Sequence, residues 1–196
     1  MKTAGTAWCD AKQGGRIGSF QVDMSPFAPK LEVLDAGEII SFSFDDLLKY
    51  HGRSSIAGVA HGFKVMERAF PLLSEGQPPD RYGIEVQTAF PGGGARDAFE
   101  MVARVVSGGR YLVLPDLAGA EVPAAPVGKF VFRLRYGPTT VQLTLRPAQV
   151  DDDFTRLVRQ ATRTPEEDDR LEGLKRDISD RLMALPADEV YDASPV

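Results

Sequence analysis

Two histidines and one cysteine are the whole supply of imidazole and thiol in this chain, so metal binding or covalent catalysis has few places to occur. His51 sits in KYHGRSS, where an imidazole at a helix end serves either as a general base or simply as the partner of a backbone carbonyl. His61 follows ten residues later on the next helical segment. At roughly three turns' distance it cannot join His51 at one metal, and it is expected on a helix surface or an interface. Cys9, beside Trp8, has no second cysteine for an intramolecular disulfide, and one Cys with two His cannot write a four-ligand zinc cluster. Two further motifs carry backbone chemistry: the serines Ser54 and Ser55, and the glycine triplet Gly92 to Gly94 in PGGGARD. Taken alone, the serines are caps and the glycines a turn. The triplet lacks the lysine of a nucleotide P-loop and the spacing of a dinucleotide fingerprint, so neither ATP nor NAD is expected. The run Asp151 to Asp153 lacks calcium-loop spacing and reads as the start of a helix.

The elements that must position these groups follow from periodicity. Phe20 to Met24 alternates like a short strand inside an otherwise aperiodic stretch, and residues 1–37 read as an N-terminal arm. Ser43, with Asp45 and Asp46 behind it, predicts a helix from about Phe44 to Tyr50 that ends at Gly52. Ile56, Val59, Phe63, Met66 and Phe70 form the core stripe of a main helix, capped by Ser54 or Ser55 and closed off around Pro71, Gly76 and Pro78. YGIEVQTAF is a strand, the glycine turn follows, and Phe99, Val102, Val105 and Val106 mark a second helix. After the strand YLVLP comes an Ala/Pro/Gly-rich loop of a length that often marks an insertion or functional loop. The runs on either side of Tyr136 to Thr139 make a β-hairpin with Phe130, Phe132, Leu134, Val141, Leu143 and Leu145 on its apolar faces. Two helices close the chain, the second capped by Thr164 with Pro165 at its first position.

A hydrophobic content of 43% is enough for one core, and a net charge of −5 favours neither nucleic acid nor an anionic membrane. With a single cysteine, no apolar run of signal-peptide length and none near the roughly 18 residues of a bilayer span, a cytoplasmic protein is expected.

Read in order, three stretches resemble the E-type subunit family of molybdenum- or tungsten-dependent formylmethanofuran dehydrogenase, over about Phe42 to Tyr191. The first is FDDLLKYHGRSSIAGVAHGFKVMERAF, similar to the family's helix, His-Gly-His-x-Cys-Pro-Gly turn and long helix; His51 and Gly52 match. The second is GGGARDAFEMVAR, which resembles a Cys-x-Val-Asp-Ala-Ile-Gln segment with Asp97 and Ala98 in register. The third is the hairpin and helical tail, similar in order and pattern. The zinc ligands are replaced: Arg53 stands for the second His, Ser55 for the first Cys and Gly94 for the second Cys. One imidazole cannot hold a structural zinc.

The resemblance implies an α+β domain over 38–192, a mostly antiparallel sheet with helices packed on one face, and a homodimer. It also implies that the HGRSS and PGGGARD turns lie together, gathering His51, Arg53, Ser54, Ser55, Gly92, Gly93, Gly94, Arg96 and Asp97 around one pocket. Two helix N-termini and two arginines there would suit a carboxylate, phosphate or other oxyanion. The leading reading is a non-redox accessory or ligand-binding domain with a small-molecule or anion pocket in place of the zinc site. Two others stand beside it: an enzyme acting on an organic acid through His51 and Asp97, and a zinc protein with altered ligands, His51 and Cys9 from the arm or a dimer mate.

Overall fold

The computed structural model describes residues 29–117 and 128–196; Trp8, Cys9, the strand at Phe20–Met24 and most of the Ala/Pro/Gly-rich loop lie outside the described residues. The first described element corrects the boundary drawn at residue 37. Strands β1 (Lys30–Asp35) and β2 (Glu38–Ser43) pair antiparallel across a turn in which Ala36 and Gly37 both have positive φ, the geometry that matches the twist of a two-residue hairpin. Residues 30–35 are therefore part of the folded body. Leu31 and Val33 are buried, and Arg81 ties the hairpin down: its guanidinium donates to Asp35 at 2.8 Å and to the carbonyls of Met101 and Val102.

Helix α1 (Phe44–His51) begins with a capping box, in which the Ser43 hydroxyl accepts from the Asp46 amide and the Asp46 carboxylate accepts from the Ser43 amide, and it stops at Gly52 with φ 85°. Helix α2 (Ile56–Leu73) is buried on every side from Ala57 to Met66, because it crosses the sheet and is flanked by other helices. It runs two residues past Pro71, which sits in its last turn. The chain then forms β3 (Ile84–Thr88), helix α3 (Gly93–Ala103) and β4 (Tyr111–Val113), a parallel crossover unit. The hairpin β5 (Val131–Tyr136) and β6 (Thr139–Leu145) follows, then α4 (Asp152–Arg159), α5 (Pro165–Ala184), α6 (Ala187–Val190) and a last strand β7 (Tyr191–Pro195). The Thr164 cap forms a full capping box with Glu167, and Pro165 takes the first helical position.

The main sheet has the order β4-β3-β5-β6-β7, antiparallel at every pairing but β3/β4, so the fold is α+β with a mostly antiparallel sheet. Ile84, Val86, Phe132, Leu134, Val141 and Leu143 point into the core beneath α2. The alternate residues Glu85, Gln87, Arg133 and Arg135 form a polar opposite face, with Glu85 paired to Arg135 across the strands. A smaller apolar cluster of Leu157, Leu171 and Leu174 joins α4 to α5. Among the described residues no helix is long and apolar enough to cross a membrane.

Candidate functional site

Helices α2 and α3 cross at their starts, and small residues make the crossing possible. A Cβ added to Gly94 would lie 2.5 Å from the Ser55 carbonyl oxygen and 2.8 Å from the Val59 nitrogen; one added to Gly62 would lie 2.7 Å from Ala98 Cβ. Gly94 is thus a packing residue with its backbone against α2. The crossing sets the HGRSS turn beside the glycine turn. Ser55 is the N-cap of α2 and Gly92 that of α3, and neither supplies a side-chain cap, so their first-turn amides have no capping side chain.

The charged members of the expected pocket face elsewhere. His51 Nδ1 lies 2.7 Å from Asp97 Oδ2, joining the end of α1 to α3, while Asp97 Oδ1 accepts from Arg96 at 3.2 Å. His51 Nε2 is buried without a hydrogen-bond partner. Arg53 and Gly93 are exposed. None of His51, Arg53, Gly93, Gly94, Arg96 and Asp97 lines the cavity beside the crossing.

That cavity measures about 250 Å³. Ser54, Ser55, Ala57 and Gly58 from the start of α2 form one side, with Gly92 from the start of α3. Phe90 and Phe130 form an aromatic wall, their rings stacked at 4.5 Å between centroids. Glycine at 92 leaves room for that wall, since a Cβ there would fall 2.3 Å from the Phe90 ring. Phe154 and Val158 of α4 add apolar surface, and Lys175 of α5 adds a cation. The Lys175 ammonium donates to the Ser54 carbonyl at 2.8 Å and to the Glu172 carboxylate at 2.7 Å.

His61 also lines the cavity. It is 2% exposed, which corrects its expected place on a helix surface. Its ring lies 4.4 Å from Phe130, and its Nδ1 is 2.8 Å from the Tyr191 hydroxyl. Burial with no neighbouring charge penalises the imidazolium and pulls the His61 pKa down to about 3, so the ring is neutral at physiological pH. Burial likewise raises the Tyr191 phenol well above its ordinary value, leaving it protonated. Sequence reasoning missed His61, Phe90, Phe130 and Lys175. The available signal was a lone imidazole in the segment IAGVAHGFKV, where every other residue but Lys64 is small or apolar.

The cavity's described lining has no carboxylate and no thiol, and its one imidazole is tied to a phenol. The described residues alone do not complete a zinc site: positions 53, 55 and 94 hold Arg, Ser and Gly, and no three His, Cys, Asp or Glu side chains gather among them. With Asp97 on Nδ1, Nε2 is the one His51 nitrogen a metal could take, and Cys9 lies outside the described residues. No protein-family model and no curated protein matches the chain.

Proposed function

We propose that this chain is a non-redox accessory or ligand-binding domain resembling the E-type subunit of formylmethanofuran dehydrogenase, cytoplasmic and homodimeric, whose cavity takes a small organic anion and shares only Ser55 with the positions that match that family's zinc ligands. The observation that carries the reading is an apolar cavity in which a few polar donors converge: uncapped amides at the start of α2, the Lys175 ammonium and the His61 imidazole. Mostly apolar walls with a few placed polar groups are the usual make-up of small-molecule sites. An ammonium has three N–H donors; Ser54 and Glu172 take two, leaving one for a ligand. The helix dipole of α2 adds positive potential at the same place.

The test is calorimetric titration with a panel of small carboxylates, inorganic phosphate and neutral amides of the same shapes. The carboxylates are expected to bind and the amides to bind more weakly. Lys175→Met, which removes a charged hydrogen bond, should weaken carboxylate binding about tenfold or more. Equal affinity for acids and amides contradicts the reading.

A second reading, an enzyme acting on an organic acid through His51 and Asp97, draws on their 2.7 Å contact, which is the geometry of a carboxylate orienting a base. Against it stands the burial of His51 Nε2, the nitrogen that would have to reach a substrate.

A further inference from the structure

The His61–Tyr191 pair has a handedness in hydrogen bonding that decides what the cavity presents. Tyr191 is fully buried, and His61 Nδ1 is the hydrogen-bond partner of its hydroxyl. If Nδ1 carried the imidazole proton, the phenolic proton would be left buried with nothing to accept it, at the desolvation cost of an unmade hydrogen bond. The arrangement that satisfies both groups has the Tyr191 hydroxyl donating to Nδ1, which places the imidazole proton on Nε2. Nε2 has no partner among the described residues, and its ring lines the cavity.

Depth orders the polar groups. His61 is 2% exposed and forms the floor, whereas Ser54 is exposed and Lys175, with its side chain 19% exposed, stands at the mouth. Between them the wall is aromatic and curved: Phe90 lies on Phe130 at an interplanar angle of 29°, Phe130 on His61 at 31°, and Phe90 is inclined at 60° to His61. The cavity's volume of about 250 Å³ falls below the ~300 Å³ at which drug-sized sites begin, room for one substituted ring.

We infer that the His61–Tyr191 pair is a fixed hydrogen-bond donor at the cavity floor, and that the ligand is a planar aromatic carboxylate bearing a neutral acceptor oxygen opposite its acid group. This rests on the reading of the cavity as a site for small organic acids. The acid group meets Lys175 and the α2 amides at the mouth; the ring lies along Phe90 and Phe130; the acceptor oxygen takes the His61 Nε2 proton.

Two isosteres isolate the floor contact: 4-acetylbenzoate, with a carbonyl oxygen, and 4-isopropenylbenzoate, with a methylene in its place. In the wild-type protein the acetyl compound is expected to bind about fivefold more tightly, the worth of one neutral hydrogen bond. In the double variant His61→Phe/Tyr191→Phe, which leaves no buried hydroxyl unpaired, the two should bind alike. Equal wild-type affinities overturn the floor donor and leave the acid reading standing. If neither compound binds while small aliphatic acids do, the ligand class fails and the acid reading stands; if no acid binds, both fail. Nitrogen-15 NMR of the histidine-labelled protein gives a check that needs no ligand: the proton of His61 should reside on Nε2, and a proton on Nδ1 overturns the inference.

Discussion

His61 is the residue on which most of the site depends, and its burial has a measurable consequence. With a native pKa of about 3 against an ordinary 6.5, the imidazole is neutral in the fold and protonated in the unfolded chain throughout the window between those values. The unfolded state therefore binds more protons there, so stability falls as pH drops below about 6.5 and the loss ends near pH 3. By pH 4 this one group should cost up to about 3 kcal/mol. Carboxylates with lowered pKa values also lose stability in acid, Asp46 and Glu100 among them beside Asp153 and the exposed Glu166. Asp46 is held below its ordinary range chiefly by hydrogen bonds from Ser43; at Glu100 burial pushes upward, but hydrogen bonds from Ser107 and Val106 outweigh it and the net direction is down. All are common to the two proteins when wild type is compared with His61→Phe/Tyr191→Phe. Urea denaturation at pH 7 and pH 4 should show the variant losing less stability; equal losses would contradict the buried neutral imidazole. The His51–Asp97 pair belongs to the same scale with a different role. Asp97→Asn keeps the shape and removes the charge, and should lower stability by about 1 kcal/mol in urea denaturation while changing carboxylate affinity less than about twofold. The sequence pointed to His51 and away from His61 for a geometric reason. Relative to the stripe of Val59, Phe63 and Met66, position 61 lies on the opposite side of the helix, a surface position only if the helix has a surface. Here α2 is covered on all sides.

Elements whose signals are local were legible. The capping residues Ser43 and Thr164, the helix of Phe44–His51, the glycine turn into α3 and the hairpin of β5 and β6 all rest on neighbouring residues. Elements fixed by distant partners were not. The β1–β2 turn uses Ala36-Gly37 where an Asn-Gly would have announced a hairpin, and β7 reads YDASP, a polar run with a proline that becomes a strand by pairing with β6. Asp151 shows the same limit: it stands at the N-cap of α4, yet its carboxylate accepts from Arg181 at 3.1 Å and does not cap. The α2–α3 crossing yields the prediction at this scale. Gly94→Ala forces a methyl group into the Ser55 carbonyl and the Val59 nitrogen, and should cost about 1–3 kcal/mol by overpacking, read as a lower urea midpoint with unchanged slope. Gly93→Ala, one residue earlier with nothing within 4 Å, should cost far less. Comparable losses would mean that the two helices do not approach this closely.

For the whole molecule, the fold divides labour between its two sides. The sheet and the all-round burial of α2 fix the start of that helix against α3, and the α4–α5 pair brings Phe154, Val158 and Lys175 over the resulting gap. The cavity thus draws on distant segments of the chain, Ser54 and Lys175 being 121 positions apart, which is why no motif search within one stretch would find it. The proposed organic-acid site is lined by neither His51 nor Asp97, and the place where an acid binds is the first thing to test. Benzoate titrated into nitrogen-15-labelled protein should give saturable amide shifts at Ala57, Gly58 and Gly92 together with a shift of the His61 ring nitrogens. Shifts confined to His51, Arg96 and Asp97, or none that saturate, would contradict the account.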